Sequence, residues 1–386
     1  MSNTVVLNAP NAKKREVFID YAKCILVFML LMDHTQFTSD YLACWTMVGF
    51  FMITGYFYKK GKSIGPTIKK YFKGILVPFW TTILVCGLFE VFRAPYLEYG
   101  DKTTFLYALA NAVWGSNVAP YTGTYEKYIT MLGTHNVGTN FYELTTPTTC
   151  ALWYLPALFS ASVMMLVYQE KIRKKAWNDI MAIIILIVLF WAESLMPWQL
   201  PYGIGRGFFG CACMIIGKDL KEIELFSRKK AMHVVGLGGI ALYTIFYLLG
   251  WVQNAYLSYI ISDYNGLGPL ALLFTFFLFS CAAIGLLYLM KLLSMILPHS
   301  RLLSTIGMNT LPIYRWHLIV ITLLDILFNK LFGVPLTLEY FYLALIKPED
   351  SIFRVLSIVG AVAICLGLHY AYLNLKSRFF QKRQAA

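Results

Sequence analysis

Apolar residues in this chain come in long blocks, not in the alternating or three-to-four spacing of a soluble core. Stretches of about 17 to 25 mostly apolar residues, bounded by charge, glycine or proline, are the length a helix needs to cross a bilayer. Read this way, the sequence predicts ten helices: Val17 to Gln36, Trp45 to Tyr58, Phe72 to Phe92, Ala151 to Tyr168, Asp179 to Met196, Tyr202 to Gly217, Met232 to Trp251, Gly268 to Leu293, Ile306 to Phe328 and Ile352 to Leu375. The second is short and contains glycine, so it is expected to be tilted, broken or buried among its neighbours. One long polar stretch, Arg93 to Cys150, interrupts the series.

Composition agrees with the pattern. Of 386 residues, 58% are hydrophobic and 14% charged, and the mean hydropathy is +0.61, which excludes an ordinary soluble domain. The expected class is an all-α polytopic membrane bundle forming a single domain over residues 1–386. The first apolar run follows Lys13, Lys14 and Arg15 and continues to Phe37 without a small-residue cleavage site, so it is expected to remain as the first span. Cys24, Cys86, Cys211, Cys213, Cys281 and Cys365 lie inside apolar runs without metal-ligand spacing and read as small core residues; no metal site is expected.

The net charge of +13 is resolved by its distribution. With the N-terminus in the cytoplasm, the inner junctions and termini, counted with Lys73 and Lys291 at the inner ends of their segments, hold 24 Lys and Arg residues, and the outer junctions hold five, Arg93, Lys102, Lys127, Lys330 and Lys347. That asymmetry predicts both termini in the cytoplasm and assigns most of the basic surplus to topology, not to nucleic acid. The outer loop at 93–150, with "NVAPYTGTYEKY" and "THNVGTNFYELTTPTT", has the Tyr, Thr, Asn and Gly content that suits sugar hydroxyls and equally suits any ordered loop. No internal repeat is visible, unlike many secondary transporters.

Ionisable residues at membrane depth are costly and usually face a protein interior. Lys23 and His34 are eleven positions apart, which returns to within about 20° on a helix and separates them by roughly 16 Å along one face. Lys23 then lies toward the cytoplasm and His34 toward the outer half. Taken alone, the two read as a snorkelling lysine and an interfacial histidine. Other segments add to them: "VGFFMITGYFYKKGKS" allows close backbone approach at Gly49 and Gly55, "GIGRGFFGCACMIIGKDL" places Arg206 between two glycines, and "IGMNTLPIYRWHLIVI" gathers Asn309, Tyr314, Arg315 and His317 around a Pro312 expected to kink the helix.

Taken in order, these segments resemble the acyltransferase 3 family of integral membrane acyltransferases, which includes O-acetylases of bacterial polysaccharides, lipopolysaccharide and peptidoglycan. The resemblance rests on "REVFIDYAKCILVFMLLMDH", with ten residues between Lys23 and His34, on "FFMITGYFYKK", "ALWYLPALF", "FFGCACMIIGKDLK" and "IGMNTLPIYRWHL", and covers about Arg15 to Lys376. The chain departs from the family pattern at Lys23, where arginine is also common, at Thr54 for serine, at Asp33 beside the histidine, and in the form "YRWH".

The resemblance implies an acetyl-CoA donor in the cytoplasm, an acceptor hydroxyl on a cell-envelope glycan or glycolipid near the outer face, and a location in the cytoplasmic membrane. It implies His34 as general base or as the carrier of a transient acyl-imidazole. Lys23 is then expected to offset the CoA phosphates or the developing oxyanion, and Trp153, Arg206, Tyr314, Arg315 and His317 to line the pocket or meet the acceptor. Glu193 and Asp325 are possible counter-charges. Lys59 to Lys73 are first topological determinants and second a means of recruiting CoA. The rival reading is a transporter or flippase of a lipid-linked glycan; a glycan polymerase lacks support from paired outer arginines or carboxylates.

Overall fold

The computed structural model describes residues 16–35, 37, 40–97, 103–115, 118–120, 141–143, 150–175, 177–194, 196, 199–251, 268–298, 300–337, 345–346 and 350–384. In chain order the helices are α1 (Val17–His34), α2 (Asp40–Tyr56), α3 (Ile64–Tyr71), α4 (Val77–Leu97), α5 (Thr103–Trp114), α6 (Tyr154–Val167), α7 (Trp177–Ser194), α8 (Ile204–Glu222), α9 (Lys229–Leu248), α10 (Gly268–Ile296), α11 (Arg301–Met308), α12 (Thr310–Phe332) and α13 (Ser351–Gln384). Two short antiparallel ribbons decorate this all-α bundle: β1 (Val118–Pro120) with β2 (Phe141–Glu143), and β3 (Leu336–Thr337) with β4 (Leu345–Ile346).

Each predicted apolar segment coincides with helix. Five stretches among the described residues are long and apolar enough to cross a membrane: Ile64–Val91, Lys229–Leu248, Pro269–Ile296, Thr310–Phe332 and Ser351–Arg378. The other predicted segments are more polar or shorter. Asp20, Lys23 and Asp33 fall within α1, Arg206 and the group from Lys218 to Glu222 within α8, and α2 has 17 residues. They form much of the interior: α1 packs on α2, α10, α11 and α12, while α8 packs on α2, α6 and α7. In contrast, α9 and α13 expose apolar side chains such as Val234, Leu237, Ile352 and Leu368 on the perimeter.

Two glycines bring α2 and α8 close together. A Cβ on Gly55 would overlap the backbone of Met214, and one on Gly217 would overlap the backbone of Met52, so the helices meet backbone to backbone as small residues permit in membranes. Gly203, with φ +60, turns the chain into α8, and a Cβ there would press on the backbone of Ala157.

Prolines shape two other helices. The ring of Pro78 would collide with the carbonyl four residues earlier, and the helix is widened there into a π turn over Phe72–Leu76 that joins α3 to α4. Pro312 does not kink a continuous helix as expected. The chain breaks three residues earlier at Asn309 (φ −114, ψ 36), leaving Pro312 in the first turn of α12, where a missing N–H costs little. Asn309 ties the break by donating from Nδ2 to the Thr305 carbonyl at 2.8 Å.

Helix ends predicted to lie in the cytoplasm converge at one end of the bundle. Tyr56 donates to Glu16 Oε2 at 2.6 Å, Lys221 pairs with Glu16, and Tyr58 donates to Glu170 at 2.8 Å. Arg173 is the hub: its Nε reaches both Asp179 oxygens at 2.8 Å, and Nη1 and Nη2 fork onto Glu222 at 3.1 and 2.8 Å. Burial pushes the Glu222 carboxyl up, but Arg173 and Lys218 outweigh it and hold the group at about 2. Asp219 goes the other way: burial and the carboxylate of Asp179 push it up to about 6 against the opposing charge of Arg173.

Helix α5 occupies part of the segment expected to be an outer loop. It is joined to α4 by Trp80 Nε1 donating to the Ala112 carbonyl at 2.8 Å, and to the turn before α8 by Trp114 Nε1 donating to the Gln199 carbonyl at 3.0 Å. Residues 121–140, which hold most of the proposed sugar-contacting stretches, lie outside the described residues.

Candidate functional site

His34 ends the helical part of α1, and its ring faces the ring of His317 on α12, with centroids 5.2 Å apart and planes tilted by 32°. The His317 side chain is 1% exposed. Its Nδ1 lies 2.8 Å from the Tyr314 carbonyl. A carbonyl only accepts, so Nδ1 carries the hydrogen and Nε2 keeps a lone pair. The Nε2 atoms of both histidines are buried and have no hydrogen-bond partner among the described residues. Buried polar atoms are nearly always satisfied in folded proteins, so unpartnered nitrogens on two neighbouring rings single this place out as a candidate site.

A row of rings leads away from this pair. Tyr314 lies 6.1 Å from His317, Tyr154 on α6 lies 5.6 Å from Tyr314, and Trp153 lies 6.2 Å from Tyr154, the last two pairs nearly edge to face. Arg206 on α8 then stacks its guanidinium over Trp153 at 4.4 Å. Phe51 of α2 buttresses Tyr154 at 4.9 Å. Four of the residues singled out in the sequence, Trp153, Arg206, Tyr314 and His317, therefore join His34 in one continuous arrangement drawn from α1, α6, α8 and α12. Tyr154 is the member that sequence reasoning passed over, although it directly follows Trp153 in "ALWYLPALF".

Arg206 sits at the N-terminal turn of α8 beside the carboxyl of Glu193, which acts on it as a counter-charge. Glu193 accepts the Leu200 N–H at 3.0 Å, and a Cβ on Gly205 would overlap its carboxyl group. The glycine next to Arg206 is what lets that carboxyl lie against the first turn, where the helix dipole favours negative charge. Asp325, the other residue named as a counter-charge, accepts from Ser357 at 2.5 Å between α12 and α13.

Two other expected residues lie apart from the row. Arg315 points to α4, where its Nε donates to Thr82 Oγ1 at 2.6 Å and Nη2 to Thr81 Oγ1 at 2.9 Å. Lys23 lies toward the polar end of the bundle, with its ammonium 5.3 Å from the Phe57 ring centroid. Among the described residues there is no group of three or more His, Cys, Asp or Glu that could hold a metal ion. The predicted core cysteines Cys24, Cys86, Cys211, Cys213 and Cys365 are buried, and Cys281 is half-buried.

Compared with known proteins, residues 16–377 match a family model described as an acyltransferase domain. The match takes in α1 to α12 and most of α13, and every residue of the row. No curated protein and no solved structure matches the chain.

Proposed function

Since the chain belongs to the acyltransferase 3 family and is a membrane acyltransferase, we propose that it moves an acetyl group from cytoplasmic acetyl-CoA to a hydroxyl of a cell-surface glycan or its precursor. In this reading ten helices, α1, α2, α4, α6 to α10, α12 and α13, cross the cytoplasmic membrane of a bacterium as a single domain with both termini inside. Its support is the 24 to five division of basic residues and the meeting of the predicted inner helix ends around Glu16, Glu170 and Arg173.

The observation that carries the proposal is the buried, unpartnered Nε2 of His34 at the junction of α1 and α12. Histidine is the side chain whose ordinary range suits proton transfer near neutrality, and an unpartnered ring nitrogen inside the protein is open to an arriving hydroxyl. His34 takes the acceptor's hydroxyl proton as its oxygen attacks the thioester carbonyl. Lys23, three turns toward the inner end on the same face of α1, offsets the phosphates of CoA as a point charge. The rings of Trp153, Tyr154 and Tyr314 offer flat apolar faces against which a sugar can lie. Arg206, already stacked on Trp153, supplies donors to the acceptor's oxygens.

An acyltransferase leaves an ester on its acceptor, whereas a carrier of a lipid-linked glycan adds no covalent group. Envelope glycans isolated from cells with the protein should carry ester-linked acetyl, seen as a mass increment removed by mild alkali. Identical mass and ester content in cells with and without the protein would overturn the proposal in favour of the carrier.

A further inference from the structure

Resting on the reading that His34 takes the acceptor's proton, we propose that His317 is its positioning partner, accepting a hydrogen bond from the His34 imidazolium as positive charge develops there. A proton arriving on His34 creates an ion at membrane depth, and an ion without a hydrogen-bond partner in such a place is strongly disfavoured. His317 is the group set beside it, with ring centroids 5.2 Å apart and the Nε2 of each without a partner among the described residues.

The tautomer of His317 is what gives it this role. Its Nδ1 hydrogen is committed to the Tyr314 carbonyl at 2.8 Å, one turn back on the same helix, so its Nε2 can only accept. In the resting site the Nε2 atoms of two neighbouring rings are both without a partner, and one proton taken up on His34 can be shared with the lone pair of His317. The hydrogen bond to His317 offsets part of the cost of the charge and does so only once the base is protonated, which is the direction transition-state stabilisation requires. It also assigns a purpose to Tyr314 beyond its ring, because its backbone carbonyl sets which nitrogen of His317 is bare.

The step balances as follows. The hydroxyl O–H bond breaks while an O–C bond forms to the thioester carbonyl carbon, and the C–S bond breaks with its electron pair leaving on sulfur. The proton goes to His34 Nε2, is held by hydrogen bonding to His317 Nε2, and is returned to the thiolate to give the CoA thiol. No oxidant, metal or further reactant is involved.

The test compares His317→Ala, His317→Leu and His317→Gln in bilayer vesicles, with acetyl-CoA and envelope glycan as substrates and membrane insertion checked for each. Alanine and leucine should lower kcat about 10²-fold with little change in the KM for the acceptor. Glutamine, whose side-chain oxygen accepts a hydrogen bond, should recover at least about a tenth of the wild-type rate. A second measurement needs no variant to fold and no turnover: magnetic resonance of protein labelled with 15N at histidine, reconstituted in bilayers and taken stepwise below neutral pH. A nitrogen-to-nitrogen coupling between two imidazoles should appear as the pair takes up one proton. Its appearance in a protein that transfers no acetyl would sink the reaction proposed above and leave the pair intact. The proposal is overturned by absence of that coupling at every pH, by wild-type kcat in His317→Ala, or by glutamine no better than leucine.

Discussion

Replacing Gly217 by alanine tests whether α2 and α8 are held in backbone contact. The added Cβ would fall on the carbonyl group of Met52, closer than Cβ atoms reach in real structures, and a carbonyl within a helix cannot rotate away as a side-chain tip can. Overpacking typically costs about 1 to 3 kcal/mol, and a backbone obstacle puts this site near the upper end, about 3 kcal/mol or a roughly 100-fold fall in the folded-to-unfolded ratio. Gly55→Ala meets Met214 in the same way and should cost a similar amount. The double variant should cost much less than the sum, about 3 to 4 kcal/mol, because the first Cβ already separates the helices. Gly238 and Gly367, which face open space, are the controls. Alanine there should be neutral or add about 0.5 to 1 kcal/mol through helix propensity. The assay is reversible unfolding in bilayers or micelles followed by tryptophan fluorescence. Since α8 carries Arg206 and α2 carries Phe51, acyl transfer should fall with stability. A Gly217→Ala protein as stable as Gly238→Ala, or strict additivity in the double variant, would refute the close approach.

Arg173→Ala strands the Asp179 carboxylate, whose side chain is 3% exposed, and should cost about 3 to 5 kcal/mol in the same unfolding assay, with Asp179→Asn in that background restoring part. Asp219→Asn probes the carboxyl raised to about 6 by burial and by Asp179. A raised folded-state value means that stability is present at low pH and lost as pH rises through about 6, so the asparagine variant should be the more stable at neutral pH and lose its advantage below that range. Arg315→Leu should loosen α12 from α4 by removing the bonds to Thr81 and Thr82, lowering the thermal midpoint and kcat more than it raises the acceptor KM.

Helices such as α9, α10 and α13 were legible because length and apolar run are enough to announce them, and the Lys23 to His34 spacing was legible because both lie on one uninterrupted helix. His317 and Arg206 stood out because charge is rare in such runs. The sequence could not say that His317 faces His34, because α1 and α12 are nearly three hundred positions apart in the chain and only tertiary packing joins them. Arg315 and His317 are two residues apart and leave α12 in very different directions, one to Thr82 and the other to His34, which a motif read as a string does not convey. Helix α5 was hidden by its twelve residues, too few for a span, although "TFLYALANAVW" carries the apolar content of a packed helix. The break at Asn309 was displaced from Pro312 because proline is at ease in a first turn and disruptive only deeper in a helix.

The central claim is that His34 passes protons during acyl transfer in the membrane. Its most direct test is delivery of labelled acetyl from acetyl-CoA to total envelope glycan in vesicles carrying either wild-type protein or His34→Ala, with equal insertion confirmed. Ester-linked label should appear with the wild type and fall by about 10²- to 10⁴-fold with the variant. Label transferred equally by the two would contradict the claim.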